Sequence, residues 1–162
     1  NDLGNLAQRS LSLINKNCGS KIPACGKLTE EDNKLLSLSI SLLSEMRKTF
    51  DVQAFHIALE KLWNVVRAAN AYIDHEAPWA LKKENPTRMG TVLYVLTETL
   101  RRISILAQPV VPDAAGKLLD QLGVPQAERD FSELGPELGA TPNTELPNPE
   151  GVFPRFLIDS EK

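Results

Sequence analysis

The residue types that could bind unpaired nucleotides lie in two stretches of the sequence. Trp79 directly follows Pro78, and a ring at such a corner can stack on an unpaired base while the proline fixes its approach. Asn5 and Arg9 are four residues apart, so a helix would place both side chains on one face. An amide beside a guanidinium suits the discrimination of one base edge. These four residues predict a site for single-stranded RNA.

Positive charge lies next to the tryptophan, although the chain as a whole has a net charge of −3. Lys82, Lys83 and Arg88 follow Trp79 closely, and their charge predicts contacts with phosphates. An acidic segment after residue 120 hides this local basic character in the average. The alternative is an ordinary solvated helix surface with Trp79 packed in the core, and composition alone leaves that interpretation open.

The remaining reactive side chains form no catalytic or metal-binding pattern. His56 and His75 are the only histidines, and Cys18 and Cys25 are the only cysteines, so no zinc site with four neighbouring ligands can be completed. The sequence also lacks the glycine-rich phosphate-binding loops of nucleotide-dependent enzymes. We expect a binding module without a metal, in which His56 is a structural residue and both cysteines are structural or incidental.

Helical periodicity dominates the first 123 residues, and 42% hydrophobic and 24% charged residues are ordinary values for a globular protein. We predict an all-α helix bundle over 1–123. Prolines and glycines predict an extended arm over 124–162, which ends in a docking peptide from Gly151 to Ile158. Neither a signal peptide nor a membrane-spanning run is evident, so we expect a cytoplasmic protein.

Apolar spacing and capping residues predict the bounds of the helices. The expected helices are 2–17, Thr29 (N-cap) to about Thr49, Asp51 (N-cap) to about Tyr72 or Ile73, a short helix from Pro78, Asn85 to about Gln108, and 113–122 with Gly123 as C-cap.

The same periodicity predicts which side chains face the core. The leucine-rich second helix is expected to be buried on most sides, and Phe55 should face inward on the third. Arg101 and Arg102 should lie partly outward. Asn70 falls at a core-facing position, so we expect its amide to bond to the backbone.

Four motifs occur in order along the chain, and a fifth closes it. They are N-L-A-Q-R from Asn5, W-x-x-x-x-x-A-N-x-Y-I from Trp63, A-P-W from Ala77, L-A-Q-P-V-V-P from Leu106, and F-P-R from Phe153. Together they resemble the C-terminal helical anticodon-binding domain of methionyl-tRNA synthetases. The resemblance covers nearly the whole chain.

The resemblance implies a bundle of the class I aminoacyl-tRNA synthetase anticodon-binding type. It implies that Trp79 stacks on the first base of the CAU anticodon of methionine tRNA, and that Asn5 and Arg9 read anticodon bases. Pro78, Lys82, Lys83 and Arg88 are supporting or phosphate contacts by their position and charge, not by the resemblance.

The family's catalytic half is absent from this sequence, so the resemblance implies a non-catalytic part of methionine–tRNA ligase, an enzyme of translation. No cofactor is expected here, and ATP and magnesium are implied for the full enzyme. The implied partners are methionine tRNA and the catalytic domain of the same enzyme, and we expect a monomer that binds no membrane.

Two other interpretations remain open at this point. One is a helical protein–protein interaction module, in which Trp79 and the arm pack on a partner. The other is the anticodon domain of a related synthetase with a different specificity. Salt dependence separates the first from RNA binding, because counterion release weakens RNA binding as salt rises. Exchange of the first anticodon base decides the second.

Overall fold

The computed structural model describes residues 2–153, and helices make up most of this range. They are α1 (Asp2–Asn17), α2 (Glu30–Asp51), α3 (Phe55–Glu76), α4 (Pro78–Glu84), α5 (Pro86–Ala107) and α6 (Pro112–Gln121). Within the described residues, the one extended pairing is an isolated bridge between Lys21 and Glu145. The all-α prediction is therefore confirmed. Across residues 2–153, no helix is long and apolar enough to cross a membrane.

Local rules set most of the helix starts. The Thr29 hydroxyl accepts a hydrogen bond from the Asp32 N–H, and the Asp32 carboxylate accepts one from the Thr29 N–H, which completes a capping box for α2. Asn85 caps α5 through its side chain. The prediction that Asp51 caps the third helix is wrong: α2 continues through Asp51, and α3 follows Ala54 without a side-chain cap.

α5 is the central helix, and every residue from Met89 to Ala107 on it is buried. It packs against α1, α2, α3, α4 and α6. α2, which we expected to be buried on most sides, leaves Leu38 49% exposed, because one of its faces points to solvent. Surrounding neighbours, rather than the number of leucines, decide which helix is enclosed.

The first turn of α3 extends beyond the core. Phe55, which was expected to face inward, is 52% exposed and contacts Phe50 edge to face. His56 is exposed as well, so the prediction of a structural histidine there is wrong. The buried face of α3 begins only at Ala58, where neighbouring helices reach it. Periodicity alone cannot show where along a helix its partners end.

Arg101 and Arg102 are buried, which corrects the expectation that they lie partly outward. Both donate to the Glu98 carboxylate on the same helix. Arg102 also donates to the carbonyl oxygens of Gly135 and Glu137 in the arm. The arm therefore covers a charged face of α5 that would otherwise point to solvent.

The described part of the arm, residues 124–153, contains two short 3-10 turns, Gln126–Glu128 and Phe131–Glu133. Backbone hydrogen bonds between Ile22 and residues 143 and 144 tie it to the loop after α1. Val152 is buried, but the predicted docking peptide lies mostly outside the described residues. The division into 1–123 and 124–162 stays a prediction.

Candidate nucleic-acid interface

A one-residue corner between α3 and α4 forms the centre of the candidate site. α3 ends at Glu76, beyond the predicted end near Ile73, and α4 begins at Pro78. Ala77 between them has left-handed backbone angles, φ 44° and ψ 59°. This conformation is unfavourable for a residue with a Cβ. Pro78 suits the first helical position, because it has no N–H to leave unsatisfied.

The corner anchors the proline and presents the tryptophan. Pro78 is buried, whereas Trp79 is 48% exposed. Trp63, the other tryptophan, is half-buried against the core. The structure thus removes the alternative in which Trp79 is a core residue. An exposed indole next to a buried, rigid proline is suited to stacking on a flat partner.

Arg9 lies over the Trp79 ring. Its Cζ is 5.4 Å from the ring centroid, which is cation–π geometry. Its Nη2 donates to Oδ1 of Asp74 at 2.5 Å, across 65 positions of sequence. The fold therefore brings α1, the end of α3 and the start of α4 together at one point.

Asn5 lies one turn before Arg9 on α1, and its side chain is exposed. Asn70 holds this part of α1 against α3, because its Nδ2 lies 3.1 Å from the Asp2 carbonyl oxygen and 3.3 Å from that of Val66. The prediction that Asn70 bonds to the backbone is confirmed. It leaves Asn5 free on the surface that carries Arg9.

Asp74 is a residue of the candidate site that the sequence analysis did not single out. A carboxylate in the last turn of a helix opposes the helix dipole, so it usually needs a compensating partner. The predicted end of α3 lies near Ile73, so the prediction did not place Asp74 in a last turn. In the structure the compensating partner is Arg9.

The three predicted phosphate contacts fall into two groups. Lys82 and Lys83 are exposed in the last turn of α4. Arg88 is instead half-buried, and its guanidinium donates to both oxygens of Asp32 at 2.6 and 2.8 Å and to Glu76 at 2.8 Å. Two carboxylates neutralise its charge, which argues against a direct phosphate contact by Arg88.

Burial and the hydrogen bonds around Arg88 shift the pKa values of Asp32 and Tyr72. Burial alone would raise the pKa of Asp32, but hydrogen bonds from Arg88, the Thr29 N–H and Tyr72 outweigh burial and lower this pKa to about 2. The Tyr72 hydroxyl donates to Asp32 at 2.7 Å, and burial next to that carboxylate raises the tyrosine pKa. At neutral pH, Asp32 and Arg88 are therefore ionised, and Tyr72 is neutral.

The side chains described at this site can form binding contacts, but they do not form a catalytic group. Within residues 2–153, no cluster of three or more His, Cys, Asp or Glu side chains could hold a metal ion. An exposed ring, a guanidinium, an amide and two lysines are the kinds of group that contact single-stranded nucleic acids in proteins.

Comparisons with known proteins identify the family of the chain. The family model for the anticodon binding domain of methionyl tRNA ligase matches residues 22–156. The methionine–tRNA ligase of Mesorhizobium japonicum is 47% identical over 97% of this chain and 30% of its own length. That of Brucella suis is 48% identical over 100% of this chain and 31% of its own length. These relatives extend the match through α1.

Solved structures give the same result. The apo form of Mycobacterium tuberculosis methionyl-tRNA synthetase superposes with a TM-score of 0.92 at 44% identity, over 97% of this chain and 32% of that one. A second structure of that enzyme, in complex with methionyl-adenylate, has a TM-score of 0.91 at 45% identity, over 96% and 31%. The chain thus spans about 30% of the length of the curated relatives. It belongs to the family of anticodon-binding domains of methionyl-tRNA ligases.

Proposed function

We propose that this chain recognises the CAU anticodon of methionine tRNA through Trp79, Asn5 and Arg9. The observation that carries the proposal is the exposed Trp79 ring with the Arg9 guanidinium 5.4 Å from its centroid. Part of the ring and part of the guanidinium remain open to solvent, where a base can reach them. A ring and a fork of donors at one point suit an unpaired base.

Each residue has a distinct task in this proposal. The first anticodon base stacks on the part of the Trp79 ring that Arg9 does not cover, and buried Pro78 fixes the ring's direction. Arg9 and Asn5, one turn apart, donate to and accept from base edges. Asp74 holds Arg9 at the site until a base arrives. When RNA binds, the exposed face of the Trp79 ring becomes covered by a stacked base. Arg9 and Asn5 then form directed hydrogen bonds with base edges in place of weaker contacts.

We assign the contacts with the RNA phosphates to Lys82 and Lys83. Both are exposed on α4, the helix that carries Trp79, so a strand stacked on the ring passes close to their ammonium groups. The charge of Arg88 is already paired, and its role is to support the corner. Each phosphate contact should add to the salt dependence of binding through counterion release.

The full protein is proposed to be a methionine–tRNA ligase that attaches methionine to tRNA with ATP. The M. tuberculosis relative is described in complex with methionyl-adenylate, which supports ATP as its co-substrate. We assign ATP and magnesium to the part of the enzyme outside this chain, and propose that the two parts pack together in a monomer. This chain contributes anticodon recognition only.

Tryptophan fluorescence tests the proposed site directly. The chain has two tryptophans, so Trp63→Phe leaves Trp79 as the single reporter. This variant is titrated with a stem-loop that carries CAU, with a GAU stem-loop as the matched control, at two salt concentrations. Quenching that prefers CAU and weakens with salt is the expected result.

Two other results would redirect the proposal. Equal quenching by CAU and GAU would refute recognition of the first anticodon base. Failure of a folded chain to respond to either loop would refute autonomous RNA recognition and favour the protein–protein interaction module.

A further inference from the structure

An ion pair joins the residues on either side of α4, the short helix that carries Trp79. α4 lies between the end of α3 and the start of α5. Glu76, the last residue of α3, meets Arg88, in the first turn of α5, with Nη2 2.8 Å from Oε2. This ion pair joins the two ends of residues 77–87, the segment that contains α4.

The ion pair is largely buried, and further hydrogen bonds to Arg88 hold it in place. The side chains of Glu76 and Arg88 are only 13% and 16% exposed. Arg88 is fixed by its two-point contact with Asp32, which is fully buried at the start of α2 and also accepts from Tyr72. Glu76 at the end of α3 is thus joined to α5 and α2 through one guanidinium. Bidentate guanidinium–carboxylate contacts define geometry as well as adding energy.

Apart from its packing against α5, α4 has few means of attachment. Of its seven residues, only Pro78 is buried and Leu81 half-buried, while the rest are exposed. A helix of about two turns is not stable on its own in water. Its position therefore depends on its packing against α5, on its two ends and on what holds those ends together.

We propose that the Glu76–Arg88 ion pair is a clasp that positions α4, and with it the Trp79 ring beneath Arg9, for anticodon recognition. Glu76 and Arg88 are positioning residues, since neither needs to touch the RNA. This inference rests on the proposed function. With the clasp open, α4 must be ordered as RNA binds, and the entropy of that ordering is lost from the affinity.

Replacement of Glu76 by Gln tests the clasp with little change in shape. Charge alone would make Glu76→Gln bind RNA more tightly, because a carboxylate near a polyanion is removed. The clasp predicts the opposite sign: affinity for the CAU stem-loop should fall about fivefold as α4 loses its anchor. Backbone amides of α4 should also exchange hydrogen faster, while those in the centre of α5 should not.

Glu45→Gln is the matched control. It removes the same charge from another inter-helix pair, Glu45 with Lys61 at 2.9 Å, which joins α2 to α3 away from α4. Both variants are compared with the unchanged chain at a temperature where all three are folded. The control should retain the affinity of the unchanged chain and its slow exchange in α4.

Unchanged or tighter binding by folded Glu76→Gln would overturn the clasp. If Glu76→Gln does not fold, Arg88→Lys replaces it, because lysine keeps the charge but cannot fork between Asp32 and Glu76. The same loss of affinity and faster α4 exchange are then expected. If the unchanged chain binds neither loop, the proposed function fails, and hydrogen exchange alone still decides whether Glu76 anchors α4.

Discussion

Replacement of Glu98 by Gln should destabilise the fold severely, because four donors converge on this buried carboxylate. Oε1 accepts from Arg101 Nη2 at 2.8 Å and Arg102 Nε at 2.7 Å. Oε2 accepts from Arg101 Nε at 3.0 Å and from the Ala140 N–H in the arm at 2.7 Å. A glutamine turns one oxygen into an N–H₂ group. Whichever oxygen is replaced, two donors then face another donor.

The size of the loss follows from burial. Burial alone would raise the pKa of Glu98, but hydrogen bonds from Arg101 and the charges of Arg101 and Arg102 outweigh burial and hold this pKa below its ordinary range. The carboxylate is therefore ionised. Removal of one partner from a buried ion pair costs about 3–5 kcal/mol, since the remaining charges stay buried without compensation. Here two guanidinium groups would remain.

Urea denaturation measures the effect. With a slope of about 2 kcal/mol per molar urea, a loss of 3–5 kcal/mol lowers the midpoint by about 1.5–2.5 M. Glu45→Gln, at an exposed pair, is the control and should change the midpoint little. Proteases should also cut the arm of the Glu98→Gln variant sooner. A midpoint for Glu98→Gln equal to that of the control would refute the reasoning.

Three further predictions concern the corner and its support. Trp79→Ala should weaken binding of the CAU stem-loop by about 1–3 kcal/mol, the usual contribution of one stacked base, and titration of the folded variant checks this. The pKa of Asp32 is about 2 in the folded protein, below its ordinary value of 3.8. Ionised Asp32 therefore stabilises the folded protein above pH 4, and this stabilisation is lost as the pH falls toward 2. This loss amounts to about 2 kcal/mol. It should appear as a fall in the urea midpoint between pH 4 and pH 2, and the Asp32→Asn variant should lack this part of the fall. Ala77→Gly should raise the free energy of unfolding by up to about 1 kcal/mol, because glycine adopts the left-handed conformation without the Cβ clash; a lower urea midpoint would contradict this.

Local chemistry was sufficient to predict the parts of the site that depend on neighbours in sequence. Thr29 and Asp32 form the capping box, and Pro78 starts a helix that presents Trp79, as their types and spacing indicate. Asn5 and Arg9 share a face of α1 for the same reason. Each of these features is fixed within one or two helical turns, where sequence spacing and spatial position are equivalent.

Features that depend on distant segments could not be predicted in this way. The contact of Arg9 with Asp74 and the Trp79 ring joins residues that only the fold brings together. Arg101 and Arg102 were placed partly outward because arginines on a helix are ordinarily solvated. The arm that encloses them is irregular, so periodicity could not show where it packs.

The way the arm encloses α5 also sets the order in which the protein can be completed during synthesis. The ribosome finishes all six helices before it reaches the Ala140 N–H and the carbonyl oxygens of Gly135 and Glu137, on which Glu98 and Arg102 depend. A nascent chain that has ended α6 therefore still exposes the ionic face of its most central helix. Closure of the bundle must wait until the irregular segment after α6 has been made.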